Sequence, residues 1–177
     1  VYRNPVHAEN IQKKEIIYTQ EQKRAIMRFC KDYENGIRKT YLLHGVTGSG
    51  KTEVYMELIA HTVAQGRQAI VLIPEIALTY QTVMRFYNRF GDRVSIMNSK
   101  LSQGERFDQF ERAKAGDIDI MIGPRSALFT PFPHLGLIII DEEHETSYKS
   151  ETAPRYHARD VAIERARMNL SLIHISE

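Results

Sequence analysis

The sequence predicts an α/β fold in which a doubly wound parallel sheet carries helices on both faces. From residue 40 onward, short aliphatic runs alternate with longer helical patterns, which is the signature of βαβ units around a parallel sheet. The runs are apolar at consecutive positions, so we expect strands that are buried on both faces. The chain has 177 residues, of which 42% are apolar, and this is enough for one core of ordinary size.

The predicted strands and helices follow one another in a regular order. The strands are expected at residues 41–44, 69–73, 94–97, 118–122 and 137–140. The helices are expected at residues 51–64, 79–90, 103–115 and 157–168. The helix at 103–115 has the clearest limits, because Ser102 and Glu105 match an S-x-x-E capping box and Gly116 is a suitable stop.

The two ends of the chain lie outside this pattern. Residues 1–17 are polar, contain Pro5 and show no clear period, so they are interpreted as a linker or terminal arm. The folded lobe is expected to span residues 18–167. Residues 168–177 read MNLSLIHISE and do not continue the amphipathic helix before them. We interpret them as an atypical tail, of the kind that translated adapter or vector sequence adds to a truncated gene, and leave them out of the predicted fold.

Composition and charge exclude several classes of protein. The 24 Lys and Arg residues nearly balance the 22 Asp and Glu residues, so no overall basic field points to nucleic acid. Cys30 is the single cysteine and the histidines lack metal-binding spacing, which excludes an internal disulfide and predicts no zinc site. No signal peptide opens the sequence, and its apolar runs are far shorter than the roughly 20 residues that span a bilayer. We therefore expect a soluble, cytoplasmic protein without a membrane partner.

A phosphate-binding loop is predicted where the first strand meets the helix at 51–64. The stretch LLHGVTGSGKTEVY fits the pattern G-x-x-x-x-G-K-[ST], in which glycines let consecutive backbone N–H groups face phosphate oxygens at a helix N-terminus. Lys51 would reach the β- and γ-phosphates, and the hydroxyl of Thr52 would bind Mg²⁺. The alternative is a Gly/Ser-rich turn with a solvated lysine. The predicted ATP-binding residues of this stretch are Gly45, Thr47, Gly48, Ser49, Gly50, Lys51 and Thr52.

An acidic pair is predicted to complete the site. The stretch LIIIDEEH places Asp141 directly after a buried strand, at the sheet edge where ligands of open α/β folds bind. Asp141 is the predicted partner of Mg²⁺, and Glu142 is the residue predicted to polarise the attacking water. Taken alone, the acids could form a solvated face. Together with Lys51 they form the predicted catalytic set of a site that hydrolyses a nucleoside triphosphate with Mg²⁺.

Several linked segments resemble a known family. They are GVTGSGKTEVY, LIPEIALT, IGPRSALFTPF, LGLIIIDEEH and YKSETAPRYHARDVAIERA. In this order they resemble the bacterial primosomal replication-restart helicases, also called primosomal protein N-prime, which are superfamily 2 DNA helicases. The resemblance covers roughly residues 18–167. It implies an ATP-driven 3′-to-5′ DNA translocase of the bacterial cytoplasm that acts on single-stranded or forked DNA, with primosome and single-strand-binding proteins as partners.

The resemblance also implies that this chain is the first of two RecA-like motor lobes. Hydrolysis then needs arginines from the second lobe, so the chain alone is expected to be inactive. Two other functions stay open. One is a different superfamily 2 DNA translocase, for DNA uptake or recombination. The other is a nucleotide-dependent binding module without hydrolysis, which would not need Glu142.

The resemblance assigns Gln22 to the adenine edge, where an amide can both donate and accept hydrogen bonds. A second role is equally open for this residue. Thr19 and Gln22 also match a T-x-x-Q capping box for the helix that follows them.

The resemblance assigns two segments to contacts with a DNA strand. A guanidinium, a hydroxyl and loop amides are groups that bind the phosphate backbone without reading sequence. For Arg125 the alternative is an exposed loop arginine or a salt bridge. Two departures weaken the contact assignment locally, because Pro124 stands where the family has threonine and Asn98 where it has histidine. The residues assigned to these contacts are Pro74, Glu75, Thr79, Arg125 and Ser126.

A further segment, ETSYKSETAPRYHARD, interleaves aromatic and basic residues. Aromatic rings offer stacking faces to unpaired bases, while the cations can contact phosphates. In the family that the chain resembles, a comparable loop couples DNA binding to hydrolysis, and His144 is expected to take part. The alternative is a surface loop whose tyrosines pack on the sheet edge. The residues assigned here are His144, Tyr148, Lys149, Arg155, Tyr156 and His157, with Arg159 among the cations.

Overall fold

The computed structural model describes residues 20–44, 50–141 and 171–176. The helices of these ranges are α1 (Gln20–Glu34), α2 (Gly50–Ala64), α3 (Tyr80–Phe90) and α4 (Gln103–Ala115). The strands are β1 (Thr40–His44), β2 (Gln68–Leu72), β3 (Val94–Ile96), β4 (Ile120–Gly123), β5 (Leu135–Ile140) and β6 (Ser171–Ser176). Short 3₁₀ turns lie at Glu75–Ala77, Gly91–Arg93 and Arg125–Phe129. None of the helices in this part of the chain is long and apolar enough to cross a bilayer.

The strands form one parallel sheet. Within the described ranges their order is β1-β6-β5-β2-β4-β3, and each neighbouring pair runs parallel. The carboxyl ends of all these strands therefore lie at one edge of the sheet. The segments that follow β2 and β4 leave from this edge, and Asp141 follows β5 there. Of the described residues that the sequence marks as functional, Pro74, Glu75, Arg125, Ser126 and Asp141 follow strands at this edge.

The core has a layer on each face of the sheet. In β2, Ala69 and Val71 pack on one face with side chains from α1, α2 and α3. Ile70 and Leu72 pack on the opposite face with Ala113 of α4 and with side chains that follow β4. The prediction of a doubly wound sheet, apolar at consecutive positions and covered on both faces, is confirmed.

For the predicted strands and helices that lie within the described residues, the limits agree with the structure to within two residues. β4 begins at residue 120 instead of 118, although Ile118 is buried. Before β4, Asp119 accepts two hydrogen bonds of 2.9 Å from the Arg93 guanidinium, and its N–H donates to the Arg93 carbonyl at 2.8 Å. β5 begins at residue 135 instead of 137, because Leu135 pairs with Gln68 across a register shift.

The predicted capping box of α4 is confirmed. The Ser102 hydroxyl accepts a hydrogen bond from the Glu105 N–H at 3.2 Å, and the Glu105 carboxylate accepts one from the Ser102 N–H at 2.7 Å. These bonds lower the pKa of Glu105. At the other end, Gly116 has a φ of 79°, a left-handed conformation that favours glycine.

The tail is the part of the fold that the sequence analysis got wrong. Residues 171–176 form β6, which lies between β1 and β5 and pairs with both. Leaving this stretch out of the predicted fold was therefore incorrect. Ile173 and Ile175 are β-branched residues of high strand propensity, and β1 and β5 leave a gap in the sheet that this stretch fills. The foreign origin of residues 168–177 stays a prediction. The predicted arm at 1–17 and the helix at 157–168 lie outside the described residues.

Candidate nucleotide-binding site

The start of α2 presents an unusually placed cation. Gly50 is the first residue of α2, and Lys51 and Thr52 follow it in the first turn. The Lys51 side chain is only 6% exposed. Burying an ammonium group costs free energy unless hydrogen bonds or opposite charge compensate it, and the oxygens of a phosphate are groups that can do so. Gly45, Thr47, Gly48 and Ser49 of the predicted phosphate loop lie outside the described residues.

Asp141 lies directly after β5 at the same edge of the sheet. Its backbone N–H donates to the Leu72 carbonyl at 2.9 Å, which fixes the chain where it leaves the strand. Its side chain is half-buried. The Asp141 charge acts on the Tyr55 hydroxyl, whose pKa is raised first by burial and then by this carboxylate. The same hydroxyl is hydrogen-bonded to Thr52, so Thr52 and Asp141 both act on Tyr55.

Tyr55 is a residue of this site that the sequence analysis missed. It lies one turn after Thr52 on α2 and is 1% exposed. Its ring stacks on Phe86 of α3, with centroids 6.1 Å apart and planes at 17°. Its hydroxyl donates a hydrogen bond to the Thr52 Oγ1 at 3.3 Å. The available signal was the spacing of three residues, which puts the two side chains on the same face of a helix.

Gln22 lies in the first turn of α1 with its side chain half-buried. α1 packs against α2, so Gln22 belongs to the helix pair that also carries Lys51. Thr19, its partner in the predicted capping box, lies outside the described residues. The adenine contact and the capping box therefore both stay open.

The segment after β2 is fixed by contacts within the protein. The Glu75 carboxylate accepts hydrogen bonds from the Ser99 N–H at 2.8 Å and the Ser99 hydroxyl at 2.6 Å. These bonds lower the pKa of Glu75 and tie the segment after β2 to the one after β3. Pro74 is buried, and Thr79 caps α3 by accepting from the Thr82 N–H at 3.3 Å. The predicted contact of Glu75 with DNA stays a prediction; the observed role of its carboxylate is to hold this segment against Ser99.

The segment after β4 carries the other predicted DNA contacts. Arg125 and Ser126 open the 3₁₀ turn Arg125–Phe129, and both are half-buried. The turn follows Gly123, where a Cβ atom would lie 2.6 Å from the Met97 carbonyl oxygen. β4 lies next to β2 in the sheet, so this segment and the Glu75 segment leave from neighbouring strands. The structure thus brings the two predicted DNA-contact segments side by side.

The remaining predicted site residues lie outside the described ranges. Their roles stay predictions. They are Glu142, His144, Tyr148, Lys149, Arg155, Tyr156 and His157, together with Arg159. Of the two departures from the family pattern, Pro124 precedes the 3₁₀ turn, and the Asn98 Oδ1 accepts a hydrogen bond from the Lys100 N–H at 3.0 Å.

Comparison with curated proteins finds close relatives that are much longer than this chain. Replication restart protein PriA of Bacillus subtilis (strain 168) is 49% identical over 167 residues, which cover 94% of this chain and 21% of that protein. PriA of Chlamydia pneumoniae is 47% identical over 149 residues, which cover 84% of this chain and 20% of that protein. PriA of Haemophilus influenzae is 50% identical over 134 residues, which cover 75% of this chain and 18% of that protein. The chain spans about a fifth of the length of these relatives.

Solved structures support the fold. The structure of RecG bound to a three-way DNA junction has a TM-score of 0.69 at 24% identity, covering 92% of this chain and 21% of that chain. The structure of the restriction-modification enzyme LlaBIII bound to DNA has a TM-score of 0.60 at 16% identity, and the match covers 94% of this chain and 13% of that chain. At these identities the likeness concerns the fold, which is a RecA-like P-loop α/β fold.

The family follows from these findings together. The resemblance to the replication-restart helicases is confirmed by relatives at 47 to 50% identity. Residues 19–171 match the DEAD/DEAH box helicase family. This chain therefore belongs to the DEAD/DEAH box helicase family.

Proposed function

We propose that the chain is the ATP-binding motor lobe of a 3′-to-5′ DNA helicase of replication restart. In this proposal it is the first of two RecA-like lobes and binds Mg-ATP at the carboxyl edge of its sheet. The observation that carries the proposal is the buried Lys51 in the first turn of α2, followed by Thr52, with Asp141 directly after β5. The similarity to proteins named for replication restart supports the biological context.

The residues at this edge fit a magnesium nucleotide. A hydroxyl and a carboxylate are hard oxygen ligands of the kind that Mg²⁺ prefers, and Thr52 and Asp141 supply one of each. The buried ammonium of Lys51 and the N–H groups at the start of α2 suit phosphate oxygens. Mg²⁺, when bound, neutralises charge on the β- and γ-phosphates. Lys51 would hold the transferred phosphoryl group in place, and Glu142 would orient the attacking water.

DNA would be gripped at the segments after β2 and β4. The Arg125 guanidinium and the Ser126 hydroxyl are groups that bind backbone phosphates, and they contact DNA without regard to sequence. Glu75 would act indirectly, by holding the segment after β2 against Ser99. The two segments leave from neighbouring strands, so one DNA strand can run across both. Single-stranded and forked DNA are the proposed partners.

The wider setting of the proposal comes from the relatives. The curated proteins named replication restart protein PriA come from bacteria, so we place this chain in the bacterial cytoplasm with primosome and single-strand-binding proteins. Hydrolysis would require arginines from the second lobe, which stabilise the charge on the transferred phosphoryl group.

Calorimetry with the non-hydrolysable nucleotide AMP-PNP and Mg²⁺ tests the proposed site. We expect Lys51→Ala to weaken binding by about 1.5–3 kcal/mol, or more than tenfold, because a charge-assisted contact to phosphate is lost. Lys114→Ala is the matched control, since Lys114 is an exposed lysine on α4 that pairs with Glu111. The control is expected to bind like the wild type. Equal affinities for Lys51→Ala and the wild type would contradict the proposal.

A further inference from the structure

The hydroxyl of Tyr55 is not needed for the packing that its ring provides. The ring stacks on Phe86 in the layer that α1, α2 and α3 form, and a phenylalanine would make the same contact. Burying a hydroxyl costs free energy unless it is hydrogen-bonded. A role for the Tyr55 hydroxyl therefore has to be sought in the polar groups around it.

Those surroundings include the two residues proposed to bind magnesium, besides the charges of Glu53 and Arg85. The Tyr55 hydroxyl donates to the Thr52 Oγ1 at 3.3 Å, and the Asp141 carboxylate lies close enough for its charge to act on the same hydroxyl. The stacked and fully buried ring holds the hydroxyl in place. Tyr55 is thus a fixed donor to the Thr52 hydroxyl, and the Asp141 charge acts on the same donor.

A fixed donor restricts the hydroxyl that accepts from it. A threonine oxygen has two acceptor lone pairs and a proton that rotates about the C–O bond. When Tyr55 occupies one lone pair, the second lone pair and the proton are left with fewer orientations. A cation that approaches Thr52 then meets an oxygen that is already oriented, and less ordering is required on binding.

We propose that Tyr55 is a positioning residue, whose hydroxyl orients the Thr52 side chain for coordination of the nucleotide's Mg²⁺. This inference rests on the proposed function, because it presupposes that Mg²⁺ binds at Thr52. Tyr55 itself does not touch the nucleotide or the metal.

The test separates magnesium binding from nucleotide binding. A fluorescent AMP-PNP analogue is titrated into the 177-residue chain in EDTA, and Mg²⁺ is then titrated at fixed nucleotide. Tyr55→Phe is expected to raise the Mg²⁺ concentration at half-saturation by about two- to fivefold, because a 3.3 Å contact is a weak hydrogen bond. Its nucleotide affinity in EDTA and its melting temperature are expected to stay at the wild-type values. Tyr87→Phe, which removes the hydroxyl of a half-buried tyrosine on α3, is the matched control and is expected to match the wild type in each measurement.

Three results would overturn the inference. An unchanged Mg²⁺ midpoint in Tyr55→Phe would show that the hydroxyl does not act on the metal site. Equal weakening with and without Mg²⁺ would show that Tyr55 acts through packing. If the wild-type chain binds no Mg-nucleotide at all, the proposed function fails, and this inference fails with it.

A second variant decides the question if Tyr55→Phe does not fold. Thr52→Ser keeps the hydroxyl but loses the methyl group that restricts the side-chain rotamer. With Tyr55 present to orient it, the serine is expected to occupy one χ1 rotamer in the absence of Mg²⁺, as measured by three-bond NMR couplings. Averaging of the serine side chain over several rotamers in the Thr52→Ser variant would show that the methyl group, not Tyr55, orients the hydroxyl, and would overturn the inference.

Discussion

Replacing Gly123 with alanine is expected to destabilise the folded chain, because the added methyl group would clash with its neighbours. Gly123 ends β4, immediately before the segment that carries Arg125. A Cβ atom on it would lie 2.6 Å from the Met97 carbonyl oxygen and 2.9 Å from the Met97 Cβ. Both distances are well inside van der Waals contact, and both atoms belong to or adjoin backbone. The clash cannot be relieved by a side-chain rotation.

The surrounding hydrogen bonds restrict relief by backbone movement. The Met97 N–H donates to the Ile122 carbonyl at 2.8 Å, and the Gly123 carbonyl accepts from the Ile73 N–H at 2.9 Å. Met97 is also fully buried. Overpacking a well-packed core costs about 1–3 kcal/mol, and we expect the upper half of this range. At about 2–4 °C per kcal/mol for a chain of this size, the melting temperature is expected to fall by roughly 4–12 °C.

Urea unfolding followed by circular dichroism measures this loss. Gly104→Ala is the matched control, because a Cβ there meets only the Ser102 Oγ at 3.9 Å, and alanine favours the helix. The control is expected to be neutral, or more stable by up to about 1 kcal/mol. If Gly123→Ala unfolds at the same urea concentration as the wild type, the close approach of β3 and β4 at Met97 is refuted.

Two further predictions concern the acidic residues. In a complete two-lobe enzyme, Asp141→Asn is expected to lose Mg²⁺-dependent nucleotide binding, because Asp141 is proposed to bind the metal. Glu142→Gln is expected to bind Mg-ATP normally and hydrolyse it slowly, because Glu142 is proposed to act on water in the transition state. A wild-type single-turnover rate for Glu142→Gln would show that another residue activates the water. The hydrogen bonds from Ser99 lower the pKa of Glu75 below the usual glutamate value of 4.5. They therefore stabilise the folded state fully above pH 4.5, and this stabilisation is lost as the pH falls through the lowered pKa. On acidification, the melting temperature of Glu75→Gln is expected to fall less steeply than that of the control Glu111→Gln. Equal slopes of melting temperature against pH in the two variants would contradict the proposal that Glu75 holds its segment against Ser99.

Most of the sheet could be predicted because its strands are buried on both faces. Ile138 and Ile139 point to opposite faces of β5 and both are inaccessible, so the sequence carries an uninterrupted aliphatic run. The limits of α4 could be predicted for a local reason, since Ser102 and Glu105 bond each other across one turn. The common edge of Thr52 and Asp141 follows from parallel strands, whose carboxyl ends coincide.

The missed features depend on tertiary structure. β6 lies in a gap between β1 and β5, and its short run of β-formers becomes a strand because two neighbours are there to pair with it. The bond between Glu75 and Ser99 joins residues that only the parallel arrangement of β2, β4 and β3 brings together. Tyr55 was expected only as a helical residue, because the partner of a buried hydroxyl depends on the rotamer and not on the sequence pattern.

The most direct test of the account is the position of the metal. Mn²⁺ is paramagnetic and can replace Mg²⁺, and it broadens the NMR signals of amides steeply as they come closer. With AMP-PNP bound, the account predicts that Mn²⁺ broadens the Thr52 and Asp141 amides first. The Gly66 amide follows the 15-residue helix α2, roughly 20 Å from Thr52, and is expected to be the least affected of the three. Broadening that spares Thr52 and Asp141, or that is the same with and without AMP-PNP, would contradict the proposed nucleotide site.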